Sequence, residues 1–378
     1  MSSLIDAVDD LPVTVPPKFR QHAEWDSAGG QGATGPVREV VSDHAHLLRL
    51  AGLDPDAWRI FGRVSQWTKT HHGRPDTYSF FFQFEKATDD EFDLLALYAE
   101  IRATKRKPSA KTAKTPATVV VCWADIQTGK VDRLGGTKEL LVRLEDKRTA
   151  LEAHLKAGKF DHIVIADCGD IVEGFENVSS QLHTNDLSLM DQVDIAATEL
   201  WKTIRLAAQY APVDVLTIPS NHAQWRSGKG LLGKPTDDWG LHINVRLERM
   251  AAELDLPITF HRPQDWEETL VFPVRNTRLG LAHGHQAASP DRVTAWWAKM
   301  IHSGNLDCDI LLSGHYHFAS VRPSGKTSAG RSKWHLQAPT LDNGSAWVHN
   351  KMGEDGDPAL MVFTITDDGF DLTGLSLL

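Results

Sequence analysis

The sequence predicts an α/β fold in which two facing sheets form a β-sandwich flanked by helices, a four-layer αββα arrangement, together with a small N-terminal α+β module. From residue 117, strand-like apolar runs alternate with amphipathic helical patterns in three successive units. Such alternation indicates a largely parallel sheet covered by helices. Beyond residue 257 the patterns are mostly strands with one helix among them, which predicts a second sheet.

The N-terminal part is predicted to hold three segments before this large domain. Residues 1–36 are rich in Gly, Pro and Ser and predict a flexible tail; the glycines Gly30, Gly32 and Gly35 match G-x-G-x-x-G, but no strand-like run precedes them. Residues 37–101 predict a small accessory module, with helical spacing at 37–53 and an aromatic strand at 77–85. Residues 102–116 carry six Lys or Arg and no acid, which predicts a basic linker. Both a solvated linker and a phosphate-contacting strap fit this composition.

The large domain spans 117–378, and its elements follow from apolar periodicity. The predicted strands are 117–127, 161–170, 213–222, 257–262, 269–285, 309–318, 332–341 and 358–366. The predicted helices are 137–158, 185–210, 237–254 and 291–304.

Composition limits the class of protein. With 378 residues and 41% apolar content, the chain can bury one large core and a smaller one. A net charge of -10 argues against wrapping of nucleic acid by the whole surface but leaves room for a local basic groove. Short apolar stretches and an acidic N-terminus predict no membrane span and a cytoplasmic protein. The three scattered cysteines, Cys122, Cys168 and Cys308, favour a reducing compartment and a packing role.

Polar residues whose side chains can bind a metal ion follow several of the apolar runs. The runs end in Asp125 and Gln127, in Asp170, in Asn221 and His222, in His283 and His285, and in His315 and His317. Ligands gather outside the carboxyl ends of strands in α/β sheets. Carboxylate, amide and imidazole groups without a thiolate suit divalent ions such as manganese, iron or zinc. If the strands continue through these residues, Asp125 shares a face with Gln127, and His315 with His317.

This series resembles the calcineurin-like metallophosphoesterase superfamily over residues 117–378. The family's D-x-H, G-D-x-x-D/E, G-N-H-D/E, H-G and G-H-x-H motifs correspond to "DIQ", "GDIVE", "SNHA", "HG" and "GHYH". The resemblance implies a dinuclear centre with Asp170 as the bridge. One ion would be held by Asp125, Gln127, Asp170 and His317, and the other by Asp170, Asn221, His283 and His315. His222 would be the catalytic histidine that assists the leaving oxygen, and Glu173 would orient its neighbours.

Three positions depart from the family pattern or leave a choice. Gln127 replaces the usual His; its carbonyl oxygen can still bind an ion and favours a harder one, so two Mn²⁺ ions are the expected cofactor, with Fe, Zn and Mg as alternatives. Ala223 replaces the acid that normally orients the catalytic imidazole, which leaves Gln224 or a backbone carbonyl for that role. His283 is favoured over His285 as the ligand.

The resemblance implies a phosphoric ester hydrolase. The first hypothesis is a phosphodiesterase acting on DNA, similar to SbcD-type repair nucleases and to phage-encoded replication or recombination nucleases. A homodimer or a partner ATPase would fit this hypothesis. The aromatic residues Trp225, Trp239, Trp296 and Trp297 could stack bases, although core packing is the better expectation for the last two. Arg226 is the predicted substrate-binding residue, on a loop with Lys229 and Lys234 expected to be mobile over the site. A manganese-dependent nucleotide diphosphatase or cyclic-nucleotide phosphodiesterase is the alternative, and a non-catalytic scaffold a third.

Overall fold

The computed structural model describes residues 15–26, 29–38, 41, 43–70, 76–86, 116–175, 177, 181, 183–227, 230–354 and 356–378. The chain divides into two compact units, Met1–Thr104 and Lys105–Leu378. Residues 87–115, which include the C-terminal part of the predicted accessory module and most of the predicted basic linker, lie outside the described residues. None of the described helices is both long enough and apolar enough to cross a bilayer.

In its described residues, the smaller unit has a four-stranded antiparallel sheet and one α-helix. In sheet order its strands are β1 His22–Trp25, β2 Gly29–Ala33, β4 Thr77–Lys86 and β3 Trp58–Lys69. Helix α1 spans His44–Leu50 and begins where the Asp43 carboxylate accepts a hydrogen bond from the amide of His46. The hydrophobic core of the smaller unit includes Leu47, Phe82 and Phe84, all buried. A single turn of 3-10 helix covers Pro17–Phe19.

The expectation of a flexible tail over residues 1–36 is wrong for residues 22–25 and 29–33, which form β1 and β2. Residues 1–14 lie outside the described part. The glycines of β2 serve packing rather than flexibility, because a Cβ on Gly30 would collide with the carbonyl of Glu24 on β1. A Cβ on Gly29 would likewise lie within 2.9 Å of the Cα of Glu85.

The larger unit is the predicted sandwich of two sheets. The first sheet runs, in order, β10 Ile258–His261, β7 Val213–Thr217, β6 His162–Asp167, β5 Ala117–Trp123, β16 Met361–Thr366 and β17 Gly369–Leu377. Its first four strands are parallel, and β16 pairs antiparallel with β5. The second runs β11 Thr269–Val274, β12 Thr277–Ala282, β13 Ile310–Ser313, β15 Ser332–Gln337 and β14 Ser320–Lys326. In it β12, β13 and β15 are parallel.

Helices form the outer layers. Helices α2 Thr137–Ala157, α3 Leu189–Ala208 and α4 Trp239–Glu253 follow β5, β6 and the β8–β9 hairpin, whose strands are Arg226–Ser227 and Gly230–Leu231. Helix α5, Val293–His302, covers the second sheet through the buried Trp297. A 3-10 turn at Pro290–Arg292 precedes α5, and a π-helical turn covers Val348–Met352. The four-layer αββα fold is therefore confirmed.

One hydrophobic core joins the two sheets. Side chains of β5, β6, β7 and β16 from the first sheet pack against β12, β13 and β15 of the second. Cys122 and Cys168 belong to this core, and Cys308 lies under α5. All three are free thiols, and burial raises the pKa of Cys308 to about 12, so they have packing roles.

The elements of the larger unit differ from those predicted from the sequence in three ways. The predicted strand 269–285 is a hairpin, β11 and β12, because the chain reverses at Arg275 in the left-handed region. In the larger unit, strands β8, β9, β14 and β17 were not predicted; β8 and β9 are two residues long, and the mostly half-exposed or exposed residues of β14 and β17 give a weak apolar signal. Several predicted strands also end earlier than expected, β5 at Trp123 and β13 at Ser313.

The inter-sheet core should dominate the stability of the larger unit. Leu336 is fully buried in it, so Leu336→Ala is expected to lower the free energy of unfolding by about 2–5 kcal/mol. The matched change Leu372→Ala, on a side chain that is 53% exposed, should cost less than about 0.5 kcal/mol. Urea unfolding followed by tryptophan fluorescence measures both, and equal effects would contradict the assigned core.

Candidate metal centre

The predicted ligands follow strands from both sheets. Asp125, Asp170 and Asn221 lie just beyond β5, β6 and β7, while His283 and His315 lie beyond β12 and β13. Because these strands are parallel within each sheet, their carboxyl ends gather at one edge of each sheet.

The backbone at the ligands is left-handed. Asp125, Gln127, Asp170, His315 and His317 all have positive φ, between 41° and 70°. They are five of the eight non-glycine residues in this conformation among those described, and such concentration is typical of functional sites. The expectation that Asp125 and Gln127, or His315 and His317, share a face of an extended strand is therefore wrong; tight turns after the strands orient these side chains.

Asp170 is the centre of the arrangement. Its Oδ1 accepts a hydrogen bond from the amide of His222 at 2.9 Å, and its Oδ2 lies 3.0 Å from Nε2 of His283. Nδ1 of His283 lies 2.8 Å from the carbonyl oxygen of Cys168, which fixes Nε2 as the nitrogen directed at Asp170. Burial raises the pKa of Asp170, but His283 and His222 outweigh it and hold the pKa well below its usual range. The carboxylate is therefore ionised.

Among the described residues, Oδ1 of Asn221 is a buried ligand atom near Asp170 without a hydrogen-bond partner. Oδ2 of Asp170 and Nε2 of His283 face each other at 3.0 Å. Ligand atoms of Asp170, His283 and His315 lie within 4.8 Å of one another. Burial, and then the neighbouring His283, hold the pKa of His315 well below its ordinary value, so its imidazole is neutral, the form that binds metal. Buried polar atoms without partners are costly, and a divalent cation fits this oxygen and nitrogen set.

The remaining predicted ligands, His317 and Gln127, lie near Asp125. Nε2 of His317 is 3.5 Å from Oδ1 of Asp125, and its Nδ1 is 3.4 Å from Oδ2 of Asp342. Gln127 is buried nearby, but Lys130 donates to its Oε1 at 2.6 Å and to Oδ2 of Asp342 at 2.6 Å. Neither Lys130 nor Asp342 was predicted; Lys130 lies three residues after Gln127, whereas Asp342 comes from a distant loop.

His222 is oriented by Glu173. Its Nδ1 lies 2.9 Å from the backbone carbonyl of Glu173 and 3.1 Å from Oε2 of the same residue. The side-chain amide of Gln181 is 3.1 Å from the same nitrogen. Thus a carboxylate from another loop, and a backbone carbonyl, compensate for Ala223. Gln224 instead donates to the carbonyl of Pro235, so it does not take this role.

The sequence left two histidines as candidates after β12. The structure places His283, fully buried, against Asp170, whereas Nε2 of His285 lies 3.7 Å from Oε2 of Glu268. Glu268 also accepts a bond from Gln224. The geometry thus brings His283, and not His285, to the bridging carboxylate.

The site opens into a cavity of about 420 Å³. It is lined by Asp170, Asn221, His222, His315, His317, Gln127, Lys130, Asp132, Glu173, Thr184, Ser345, Ala346 and Trp347. Trp347 is 50% exposed, and its ring centroid lies 6.4 Å from that of His315. Sequence reasoning missed this indole because no apolar pattern or motif marks the loop that carries it.

The other residues predicted to contact substrate are basic side chains and tryptophans. Arg226 donates to the carbonyl of Asn221 at 3.5 Å, and so lies beside a candidate ligand. Lys234 forms an ion pair with Asp265, while Lys229 lies outside the described residues. Of the tryptophans, Trp225 is 55% exposed and Trp297 is buried in the core.

Comparison with known proteins adds distant likenesses. No protein-family model and no curated protein matches the chain. Among solved structures it is similar to vacuolar protein sorting 29 of Cryptosporidium parvum, with 14% identity over 69% of this chain and 97% of that one, at a TM-score of 0.31. A metallophosphoesterase from Sphaerobacter thermophilus gives 12% identity over 69% and 88%, at 0.29. The zinc complex of Vps29 from Entamoeba histolytica gives 12% over 69% and 98%, at 0.30.

The sheet order, the αββα layers and the loops at the strand ends together bring the candidate ligands to one site. Glycines allow these loops to approach closely. A Cβ on Gly314 would collide with Oδ2 of Asp125, and one on Gly169 would lie 2.9 Å from Nδ1 of His283. Both glycines belong to the motifs recognised in the sequence, G-H-Y-H and G-D.

Gly314→Ala should therefore weaken cation binding by about 10- to 100-fold, because Asp125 would be displaced. Gly230→Ala is the matched control, since its Cβ would meet only the carbonyl of Ser227, at 3.6 Å. Titration of the metal-free protein with Mn²⁺ in a calorimeter measures both. Unchanged affinity in Gly314→Ala would show that Asp125 takes no part in cation binding.

Proposed function

We propose that this chain is a metal-dependent phosphoric ester hydrolase that cleaves phosphodiester bonds, and that DNA is its substrate. The observation that carries the proposal is the buried cluster around the ionised Asp170, in which ligand atoms of Asp170, His283 and His315 lie within 4.8 Å of one another. The buried Oδ1 of Asn221 beside it has no hydrogen-bond partner among the described residues. The cations proposed are divalent, with Mn²⁺ preferred because the candidate ligands include carboxylate and amide oxygens and no thiolate. When bound, such ions supply Lewis-acid stabilisation of the charge that develops on a phosphoryl group.

His222 would donate the proton to the leaving oxygen. Burial lowers its pKa, but Asp170 and Glu173 outweigh burial and raise the pKa to about 9. The imidazolium is therefore the form present at neutral pH. Glu173 and Gln181 both contact Nδ1, which leaves Nε2 as the nitrogen for a substrate. A proton donor at this position assists departure of an alkoxide.

The surroundings of the site support a substrate that carries bases. Trp347 presents a half-exposed indole at the cavity, and Trp225 a second exposed indole next to Arg226. Aromatic faces of this kind stack bases at about 1–3 kcal/mol each. The Arg226 guanidinium would meet a phosphate of the same strand. The six basic residues of 102–116 would add contacts that do not depend on base sequence.

A manganese-dependent nucleotide diphosphatase or cyclic-nucleotide phosphodiesterase is the second candidate. It is favoured by the cavity of about 420 Å³, which lies within the range of small-molecule sites. Gln127, in place of the usual His, also favours this candidate. A free nucleotide could use the same indole of Trp347.

The hydrolase proposal predicts Mn²⁺-dependent cleavage of bis-p-nitrophenyl phosphate. His222→Ala should lower kcat by at least about 100-fold, because the proton donor is lost, while bound manganese stays unchanged. His302→Ala, on the exposed end of α5, should behave like the unaltered protein. Absorbance at 400 nm measures turnover, and metal analysis measures the ions. Cleavage that survives His222→Ala would remove this residue from the mechanism, and no turnover with any divalent ion would favour the scaffold.

The substrate proposal is tested with labelled single- and double-stranded DNA in the presence of Mn²⁺. Degradation should weaken, with a smaller dependence on salt, when Lys105, Arg106 and Lys107 are changed to Gln. The control changes three exposed lysines of the larger unit, Lys138, Lys156 and Lys159, and should leave degradation unchanged. Intact DNA together with cleaved nucleotide diphosphates or cyclic nucleotides would establish the second candidate instead.

A further inference from the structure

Lys130 places a built-in positive charge beside one of the two candidate cation positions. Its side chain is buried, only 8% exposed, and its ammonium donates to Oε1 of Gln127 and Oδ2 of Asp342, both at 2.6 Å. We call these three residues the Lys130 clamp. A buried ammonium is stable only when it is paired and hydrogen-bonded, so the clamp belongs to the folded structure of the site.

The clamp uses the one atom through which Gln127 could bind an ion. An amide side chain offers a single acceptor, its carbonyl oxygen, and its nitrogen carries only donors. Here that oxygen accepts a charge-assisted bond from Lys130, which is about twice as strong as a neutral one. The amide nitrogen of Gln127 is directed at His222, 3.5 Å from Nδ1.

Asp125, another candidate ligand at this position, is also partly committed. Both carboxylate oxygens of Asp125 lie 3.0 Å from the amide nitrogen of His315, which donates to them. Nδ1 of His317 lies 3.4 Å from Asp342, which already holds Lys130. A cation here would bind next to an ammonium, and like charges repel strongly where water is excluded.

The second position has no such competitor. Its amide oxygen, Oδ1 of Asn221, is buried without a hydrogen bond among the described residues, and Oδ2 of Asp170 faces Nε2 of His283 at 3.0 Å. Asp170, His283 and His315 also form the one cluster of three His, Cys, Asp or Glu ligand groups in the described part of the chain. The two positions therefore differ in the ammonium beside one of them and in their amide oxygens, since Lys130 occupies that of Gln127 and nothing occupies that of Asn221 among the described residues.

We infer that the two cation positions are unequal: Asp170, Asn221, His283 and His315 hold one cation tightly, whereas Lys130 withholds Gln127 from the other position and keeps it weak. This inference rests on the proposed function, because it assigns the ions of the same site. It changes the role of Gln127 from a ligand to an acceptor for Lys130. It also makes Lys130 the residue that sets the occupancy of the weak position.

The test is a calorimetric titration of the metal-free full chain with Mn²⁺, with no substrate present. The unaltered protein should bind one ion at least 10-fold more tightly than a second. Lys130→Met should tighten the weaker ion by 10-fold or more. The double change Lys130→Met with Asp342→Asn removes one charge of each sign, and it should still tighten the weaker ion because Gln127 is released. Lys138→Met, an exposed lysine on α2, is the control and should match the unaltered protein.

Gln127→Ala extends the test without removing the buried charge, since Lys130 keeps Asp342 as its partner. It should change both affinities by less than about threefold. Electron paramagnetic resonance at one equivalent of Mn²⁺ should show an isolated six-line ion in the unaltered protein.

Equal affinities for two ions in the unaltered protein, or a 10-fold loss in Gln127→Ala, would overturn the inference. So would an unchanged weaker affinity in both Lys130 variants. If bis-p-nitrophenyl phosphate is still cleaved in those cases, the proposed function survives. If the unaltered protein binds no ion at all, the proposed function and the inference both fail.

Discussion

The arrangement of the larger unit depends on a single buried carboxylate, that of Asp170. It is ionised and almost fully inaccessible to solvent, and its Oδ2 faces Nε2 of His283 at 3.0 Å. Burying such a charge is unfavourable unless positive charge lies close by. The first sheet supplies acids and an amide around it, and the second supplies imidazoles. Neither sheet alone can complete the shell, so the apolar core between the sheets is also what holds the site together.

Much of this architecture could be predicted from local patterns. The valine-rich run of β5 is buried on both faces, and helix α2 begins and ends within one residue of its predicted range. The order of the ligands along the chain is readable because each follows such a run. The backbone at these ligands is not readable in this way. Left-handed turns at Asp125 and His315 depend on how neighbouring loops pack, and apolar periodicity carries no information about them.

The side-chain pairings around the site are still less predictable from sequence patterns. Lys130 and Asp342 are 212 residues apart, so no motif joins them. Glu173 compensates for Ala223 across 49 residues or more, in a loop that the sequence assigned only a general orienting role. In both cases the sequence departs from the recognised motif, and a charged side chain outside that motif makes the compensating contact. The glycines of β2 show a different limit of sequence patterns. Their composition suggested flexibility, but in the structure it reflects close packing of strands.

The closing loop between β15 and β16 has a consequence for how the protein is made. Thr340 donates to the carbonyl of Asp125, Asn343 donates to the carbonyl of Lys130, and β16 pairs along the whole of β5. These contacts join segments more than 200 residues apart, and such long-range pairing forms slowly. While the chain emerges from a ribosome, Asp125 and Lys130 appear long before the residues that fix them. A nascent chain therefore carries an unfinished centre until its last strands are translated.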